Sequence, residues 1–371
     1  MKIVFSTDQT YLHGGTEKVL ADKANYMVEK LGYEVFIITT EQNNKQACYY
    51  LDKRIHQINL GINYHRNLSY LNPKNILKVF NHFSKLKNII KEIEPDNWLI
   101  CNYSFDFYFI PFIKKTIPKI KEFHGSQYRR IEERKVNLLQ LFLQNIKESI
   151  ENKYDTLLVL NPDERNFFKS KNTYVIPNAI QIPAKKAKLE KKQLIAAGRI
   201  APVKGFERLI AAWALLAPKY TEWSLHIYGE DYLNTQESLI NQVEYLQIQD
   251  SVVFKGSTSN MTKTMLEYSI YLMTSHTECF PMVLLESLSV GLPIIAFDVP
   301  SGPRNIVSHE KDGLLIENNN ITAFANGIET LILEEEVRLK MGERAKLNSE
   351  RFNINNIMKE WVKLFSTVNK K

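Results

Sequence analysis

The chain has 371 residues, 44% of them hydrophobic and 24% charged, with a formal net charge of +7. That is the composition of a soluble globular protein too long for one ordinary core, so two domains are expected. No apolar run reaches the ~18 residues of a membrane-spanning helix, and three widely spaced cysteines, Cys48, Cys101 and Cys279, offer neither a disulfide framework nor a zinc site.

The opening residues, Met1 to Asp8, lack the h-region and cleavage site of a signal peptide and suit a first buried strand. With the cysteine usage, this points to a reducing cytoplasm. Short apolar runs follow at Val35–Thr39, Trp98–Cys101, Lys119–Phe123, Thr156–Leu160 and Thr173–Ile176. Continuous runs of that length fit strands covered on both faces. Helical patterns at Thr16–Leu31, Asn75–Ile93 and Lys135–Asn152 alternate with them, which predicts a parallel α/β sheet. Residues 178–193 are polar, basic and contain Pro183, as a linker would be.

The alternation then restarts. Strands are expected at Leu194–Ala197, Ser224–Tyr228, Val252–Lys255, Ile270–Thr274, Pro293–Phe297 and Leu314–Ile316. Helices are expected at Phe206–Leu216, Glu237–Leu246, Val283–Val290, Thr322–Leu333 and Val337–Asn348, and a last amphipathic one at Ile354–Val368. The pattern predicts two doubly wound Rossmann-like domains facing across a cleft, over residues 1–177 and 194–350. Residues 351–371 form a C-terminal helix able to cross back to the first domain.

Charge separates the halves. Residues 1–180 hold 26 Lys and Arg against 19 acids, residues 181–193 hold 5 against 1, and residues 194–371 hold 17 against 21. The basic excess of the first half fits nucleic acid, an anionic membrane surface or ordinary solvated lysine.

Four loops carry candidate chemistry. His13-Gly14-Gly15-Thr16 lies between the first strand and a helix, where glycines admit a ligand to the backbone and a helix N-terminus attracts anions. It is not the GxGxxG dinucleotide fingerprint. His124, at the end of a strand, can hydrogen-bond a ligand or transfer a proton. Arg199 and Lys204 lie on the loop after Leu194–Ala197, where a bidentate guanidinium and a point charge can embrace a diphosphate. Glu278 and Glu286 stand on either side of a strand–loop–helix corner, where carboxylates can accept from vicinal hydroxyls. Glu286 is expected near that helix's start, with the amides of Phe280, Pro281 (which has no N–H), Met282 and Val283 around it. No DxD metal clamp, His/Cys metal spacing or GxSxG elbow occurs.

Taken together these residues resemble the retaining family 4 glycosyltransferases of GT-B architecture. The resemblance rests on Gly14-Gly15-x-Glu17, His124-Gly125, Val175-Ile176-Pro177-Asn178, Gly198-Arg199, Lys204-Gly205, the pair Glu278 and Glu286, Gly291-Leu292-Pro293 and Asp312-Gly313-Leu314-Leu315. It implies a nucleotide-sugar donor, UDP-linked, and transfer of a hexose or N-acetylhexosamine without metal or cofactor. Arg199 and Lys204 would hold the diphosphate, Glu286 the ribose and Glu278 the sugar. Residues 280–283 would offer amides to sugar hydroxyls, Gly15 its amide to the phosphate, His124 its ring to the primary hydroxyl, and Lys255 would lie by the base. Cys279 stands where the family usually has glycine, so a differently shaped loop is expected. Asp298 to Arg304 resembles a subgroup that builds bacterial surface polysaccharides, including capsule and lipopolysaccharide.

In that family the first domain takes the acceptor, here a saccharide or a polyprenyl-diphosphate-linked saccharide. Lys114, Lys115, Lys119, Lys121, Arg129, Arg130, Arg134 and Lys135 cluster in sequence with Tyr108, Phe109, Phe112 and Tyr128. Basic residues beside aromatics suit an anionic bilayer, which would place the protein peripherally at the inner face of the plasma membrane. A sugar-nucleotide epimerase and a non-catalytic sugar-binding module are the rival readings. Nucleic acid is disfavoured, because the nucleotide half is net acidic and carries no recognised nucleic-acid motif.

Overall fold

The computed structural model describes residues 1–102, 104–128 and 138–369. The chain forms two units, Met1–Pro177 with Ile357–Lys371, and Asn178–Asn356. Arg129, Arg130, Arg134 and Lys135, part of the expected basic cluster, lie outside the described residues.

Unit 1 is a seven-stranded, all-parallel sheet of order β3-β2-β1-β4-β5-β6-β7. Its strands are β1 Lys2–Thr7, β2 Glu34–Thr39, β3 His56–Asn59, β4 Asn97–Ile100, β5 Lys119–Phe123, β6 Thr156–Val159 and β7 Thr173–Val175. Helices α1 Gly15–Glu29, α2 Pro73–Ile93, α3 Leu138–Glu151 and α4 Pro162–Arg165 join them. The Asn72 side chain caps α2, with Pro73 in its first turn, and Glu94 ends it in the left-handed region. Strand β3 escaped the sequence reading because His56-Gln57-Ile58-Asn59 is a largely exposed edge with no apolar run. Val4, Trp98, Ile100 and Leu157 centre the core on one sheet face.

Unit 2 repeats the plan with six parallel strands, ordered β10-β9-β8-β11-β12-β13. They are β8 Gln193–Ala197, β9 Ser224–Tyr228, β10 Val252–Gly256, β11 Ile270–Met273, β12 Ile294–Asp298 and β13 Gly313–Glu317. Helices α5 Phe206–Ala214, α6 Thr235–Tyr245, α7 Met261–Met265, α8 Met282–Ser289, α9 Pro303–Ile306, α10 Ile321–Leu333 and α11 Glu335–Ser349 follow. Leu194, Trp213, Leu225, Leu272 and Phe297 are fully or almost fully buried in its core. Both sheets reverse direction of growth beside their first strand, between β1 and β4 and between β8 and β11, and ligands bind α/β sheets at such switch points.

Residues 178–193 are packed rather than loose. Ala187 and Leu189 are buried, the Ala187 amide donates to Val290 O at 2.8 Å, and Lys346 holds the carbonyls of Pro183 and Ser289. The sparse apolar residues among the lysines lay the segment along unit 2. The last helix, α12 Ile354–Val368, carries Trp361 into the core of unit 1.

Candidate functional site

Unit 2 builds its site from the exits of β8 and β11. After β8 the chain passes Gly198 and Arg199, makes a short 3-10 turn at Pro202–Lys204, and enters α5 through Gly205. Gly205 is left-handed (φ 61°), and a Cβ there would lie 2.2 Å from Thr274 O, so only glycine fits where this loop meets the β11 exit. Two hydrogen bonds fasten the loops together, His276 N to Val203 O at 2.8 Å and Thr274 Oγ1 to Gly205 O at 2.8 Å.

Lys204 Nζ reaches Glu278 Oε1 at 2.6 Å, and both side chains keep some exposure. Its aliphatic stem lies over Gly198. Arg199 is exposed, stacks its guanidinium 5.1 Å from the Tyr232 ring centre, and makes no ion pair among the described residues. The arrangement therefore offers one exposed guanidinium lying over an aromatic ring and one lysine held on a carboxylate.

Glu278 is fixed by the neighbouring loop. Its amide donates to Pro300 O at 3.1 Å, and its carbonyl accepts from Ser301 and Gly302. Cys279 is outside the left-handed region and its side chain is buried. Phe280 packs edge-on against Phe352 at 5.6 Å and its carbonyl accepts from Asn178 Nδ2 at 3.4 Å. Helix α8 begins at Met282 behind Pro281, with no side-chain cap on its first amides.

Glu286 lies a turn into α8 and is buried, rather than standing at the helix start as expected. The macrodipole is weaker at that depth. The charges of both Glu286 and Glu278 bear on Tyr271 of β11. Burial raises this phenol far above its ordinary range, the bond from its hydroxyl to Ala197 O opposes that, and the charges of Glu278 and Glu286 push it further up. Sequence reasoning missed Tyr271 because it sits inside an apolar run.

Lys255 is the penultimate residue of edge strand β10 and is exposed. No described hydrogen bond or ion pair links it to the Lys204–Glu278 cluster. Its charge bears instead on His226, whose ring is lowered to about 4, first by burial and then by Lys255.

Unit 1 contributes a second constellation. Gly15 is the first residue of α1, and the Gly14 N-cap position has no side-chain cap bond. His124 follows β5, and its Nε2 lies 3.0 Å from Glu122 Oε2. Glu122 is fully enclosed and both its oxygens lie 2.5 Å from Lys23 Nζ of α1. Burial alone would raise this carboxyl, but Lys23 and His124 hold it down to about 2. The Trp361 ring covers Lys23 at 4.2 Å. After His124 the loop is clamped by Glu164, which accepts from Ser126 Oγ at 2.7 Å and the Gln127 amide at 2.8 Å.

Cys101, Glu122 and His124 bring potential ligand atoms within 4.8 Å of one another. The Lys23 ammonium already neutralises the carboxylate, so a metal ion would have to displace a buried cation. The trio is better described as a charge-compensated network. Lys23 and Glu122 were not singled out from sequence. The available signal was the Lys119–Phe123 strand, where three charged residues interrupt an otherwise buried run.

The comparisons follow this geometry. Residues 13–182 match the family model "Glycosyltransferase Family 4", and residues 178–348 match "Glycosyl transferases group 1". An uncharacterized glycosyltransferase of Haemophilus influenzae is 31% identical over 355 residues, 94% of this chain and 95% of that one. A Staphylococcus aureus poly(ribitol-phosphate) alpha-N-acetylglucosaminyltransferase is 26% identical over 61% of this chain and 47% of its own length. Among solved structures, Anabaena Alr3699/HepE in complex with UDP has a TM-score of 0.78 at 19% identity, covering 99% of this chain and 100% of that one, a likeness of fold. With two matched halves and a relative aligned over nearly its whole length, this chain belongs to the family 4 glycosyltransferases of GT-B architecture.

Proposed function

We propose that this protein is a retaining glycosyltransferase that moves a hexose or N-acetylhexosamine from a UDP-sugar to a saccharide or lipid-linked saccharide, in surface polysaccharide synthesis, without metal. The observation that carries the reading is the Lys204–Glu278 ion pair at the β8/β11 switch point, with exposed Arg199 on the same loop as Lys204. Arriving diphosphate can take Lys204 from Glu278, freeing that carboxylate for sugar hydroxyls. Arg199, Lys204 and the first α8 amides then meet the negative charge that grows as the C1–O bond to the phosphate breaks. Glu286 takes the ribose, residues 280–283 line the sugar, and Gly15 and His124 supply an amide and a ring from unit 1. Lys255 is assigned to the base on resemblance alone.

Retention follows if the departing phosphate oxygen takes the acceptor proton on the face where the new bond forms. The alpha-transferase name of the staphylococcal relative supports this, since UDP-hexose donors of the α configuration then give α products. Proton NMR of reactions with UDP-glucose and UDP-N-acetylglucosamine, saccharide acceptors and EDTA tests the reading. An α-linked product is expected. A β-linked product overturns retention, conversion of donor without acceptor favours an epimerase, and binding without turnover favours a sugar-binding module.

A peripheral position on an anionic membrane is part of the same proposal. Helix α2 exposes Leu77 and Phe80, and α3 exposes Phe142 and Leu143. Both helices pack on the Phe105–Tyr108 turn. Helix α2 also carries Lys74, Lys78, Lys85, Lys87 and Lys91 against a single acid, Glu92. That combination suits an interfacial helix more directly than the expected cluster around residues 108–135, where Lys119 and Lys121 are buried in β5. Flotation with anionic vesicles at low salt should carry the protein up, and Phe80→Asp should leave it behind. Failure to float overturns the membrane assignment.

A further inference from the structure

His124 owes its setting to residues that touch no ligand. Its Nε2 is 3.0 Å from a carboxylate whose two oxygens are each engaged by Lys23. A buried carboxylate held ionised is an acceptor only, so the ring nitrogen facing it must carry the proton. In the neutral ring the other nitrogen, Nδ1, is then bare and can only accept. Lys23 makes this arrangement durable, because it is 3% exposed, roofed by Trp361 at 4.2 Å and flanked by Phe5 at 5.6 Å. Lys23 also lies on α1, the helix that opens with Gly15. The Glu164 clamp on Ser126 and Gln127 fixes the chain just beyond the histidine.

We propose that Glu122 is a positioning residue that locks His124 in the Nε2–H tautomer, so that the ring meets the donor as a hydrogen-bond acceptor and selects a sugar bearing a free hydroxyl there. This rests on the assignment of His124 to the donor sugar. An imidazole that only accepts cannot donate to a phosphate oxygen, which leaves phosphate recognition to Arg199, Lys204 and amides. It can accept from a primary hydroxyl, and a 6-deoxy sugar leaves it without a donor. The buried ion pair thus serves sugar selection.

The test uses the full chain. Side-chain nitrogen NMR at pH 8, with the His124 signal assigned from a His124→Ala sample, should show Nε2 protonated and Nδ1 bare. The Nδ1–H tautomer would overturn the proposal. Glu122→Gln alone leaves Lys23 buried without a counter-charge and can fail to fold, so the working variant is Lys23→Met with Glu122→Gln, which removes the pair together. A glutamine amide can donate to or accept from the ring, so the tautomer lock should be lost. Preference for whichever of UDP-glucose or UDP-N-acetylglucosamine is turned over, against its 6-deoxy analogue, should fall about tenfold in kcat/KM, the scale of one hydrogen bond. An unchanged tautomer and preference in the double variant would also overturn it. Unaltered preference in His124→Ala, with Nε2–H confirmed in the parent protein, would sink the donor role of His124 and leave the hold of Glu122 on the ring standing.

Discussion

Each unit contains a short lysine–glutamate pair, and the two differ in burial. In unit 2, Lys204 and Glu278 meet at 2.6 Å with side chains 24% and 13% exposed. In unit 1, Lys23 and Glu122 meet at 2.5 Å with side chains 4% and 1% exposed. The first pair bridges two loops at a switch point, where solvent reaches the lysine. The second bridges a helix and a central strand, where it scarcely does. A partly exposed pair can exchange partners during a reaction, whereas a buried pair fixes geometry, because separating it strands a charge.

The largest expected effect breaks the buried pair. Lys23→Met leaves the Glu122 carboxylate without its ammonium partner inside unit 1 and should cost about 3–5 kcal/mol of unfolding free energy, read from denaturant titration. A loss below about 1 kcal/mol, the scale of exposed pairs, would show that the two pairs are not different in kind. Next comes the partly exposed pair. Lys204→Ala should lower turnover roughly 10²–10³-fold, the range found when one donor to a developing anion is removed. Its stability should change by only about 1 kcal/mol, since Glu278 can turn to solvent. Near-normal turnover would remove Lys204 from the leaving-group role and with it the functional half of the contrast.

The same contrast explains what the sequence could disclose. The alternation of strands and helices was legible because most buried strands are continuous apolar runs, as at Ile294–Asp298, and the longer helices mostly carry an apolar stripe. Arg199, Lys204 and Glu278 were legible because they lie on loops at strand ends, where charge has no core role to play. The Lys204–Glu278 contact was not, since 74 positions separate the partners and only the sheet order brings them together. Lys23 and Glu122 were hidden for the opposite reason. Their charges lie within regular elements, where the periodicity that marks the element gives no hint of a partner 99 residues away. Strand β3 was missed because an exposed edge needs no apolar run.

The smallest effect concerns Asp106, which follows β4 in unit 1 as Glu278 follows β11 in unit 2. Each lies beyond the fourth strand of its sheet, yet Glu278 has a lysine at 2.6 Å and Asp106 has no ion pair of that kind among the described residues. Asp106 is almost wholly buried, Asn102 Nδ2 donates to its Oδ2 at 3.3 Å, and its Oδ1 has no hydrogen-bond partner among the described residues. Burial, and then the nearby charge of Asp8, raise it to about 7, although Lys121 pulls the other way. Its folded value is thus above the unfolded one of 3.8, so between those limits the native state holds a proton that the unfolded chain has released. Stability from this position is present below the lower limit and is lost as pH rises through the upper one, by about 1 kcal/mol per pH unit. Glu122 behaves in the opposite sense, since its folded value of about 2 lies below the unfolded 4.5, and its contribution is lost only as pH falls through that acid window. Asp106→Asn should therefore gain on the parent protein between pH 5 and pH 7, by Tm or denaturant midpoint, and gain nothing more above pH 8. A difference independent of pH would mean that Asp106 is ionised in the fold after all, held by Lys121 much as Glu278 is held by Lys204, and the exits of β4 and β11 would then be electrostatically alike.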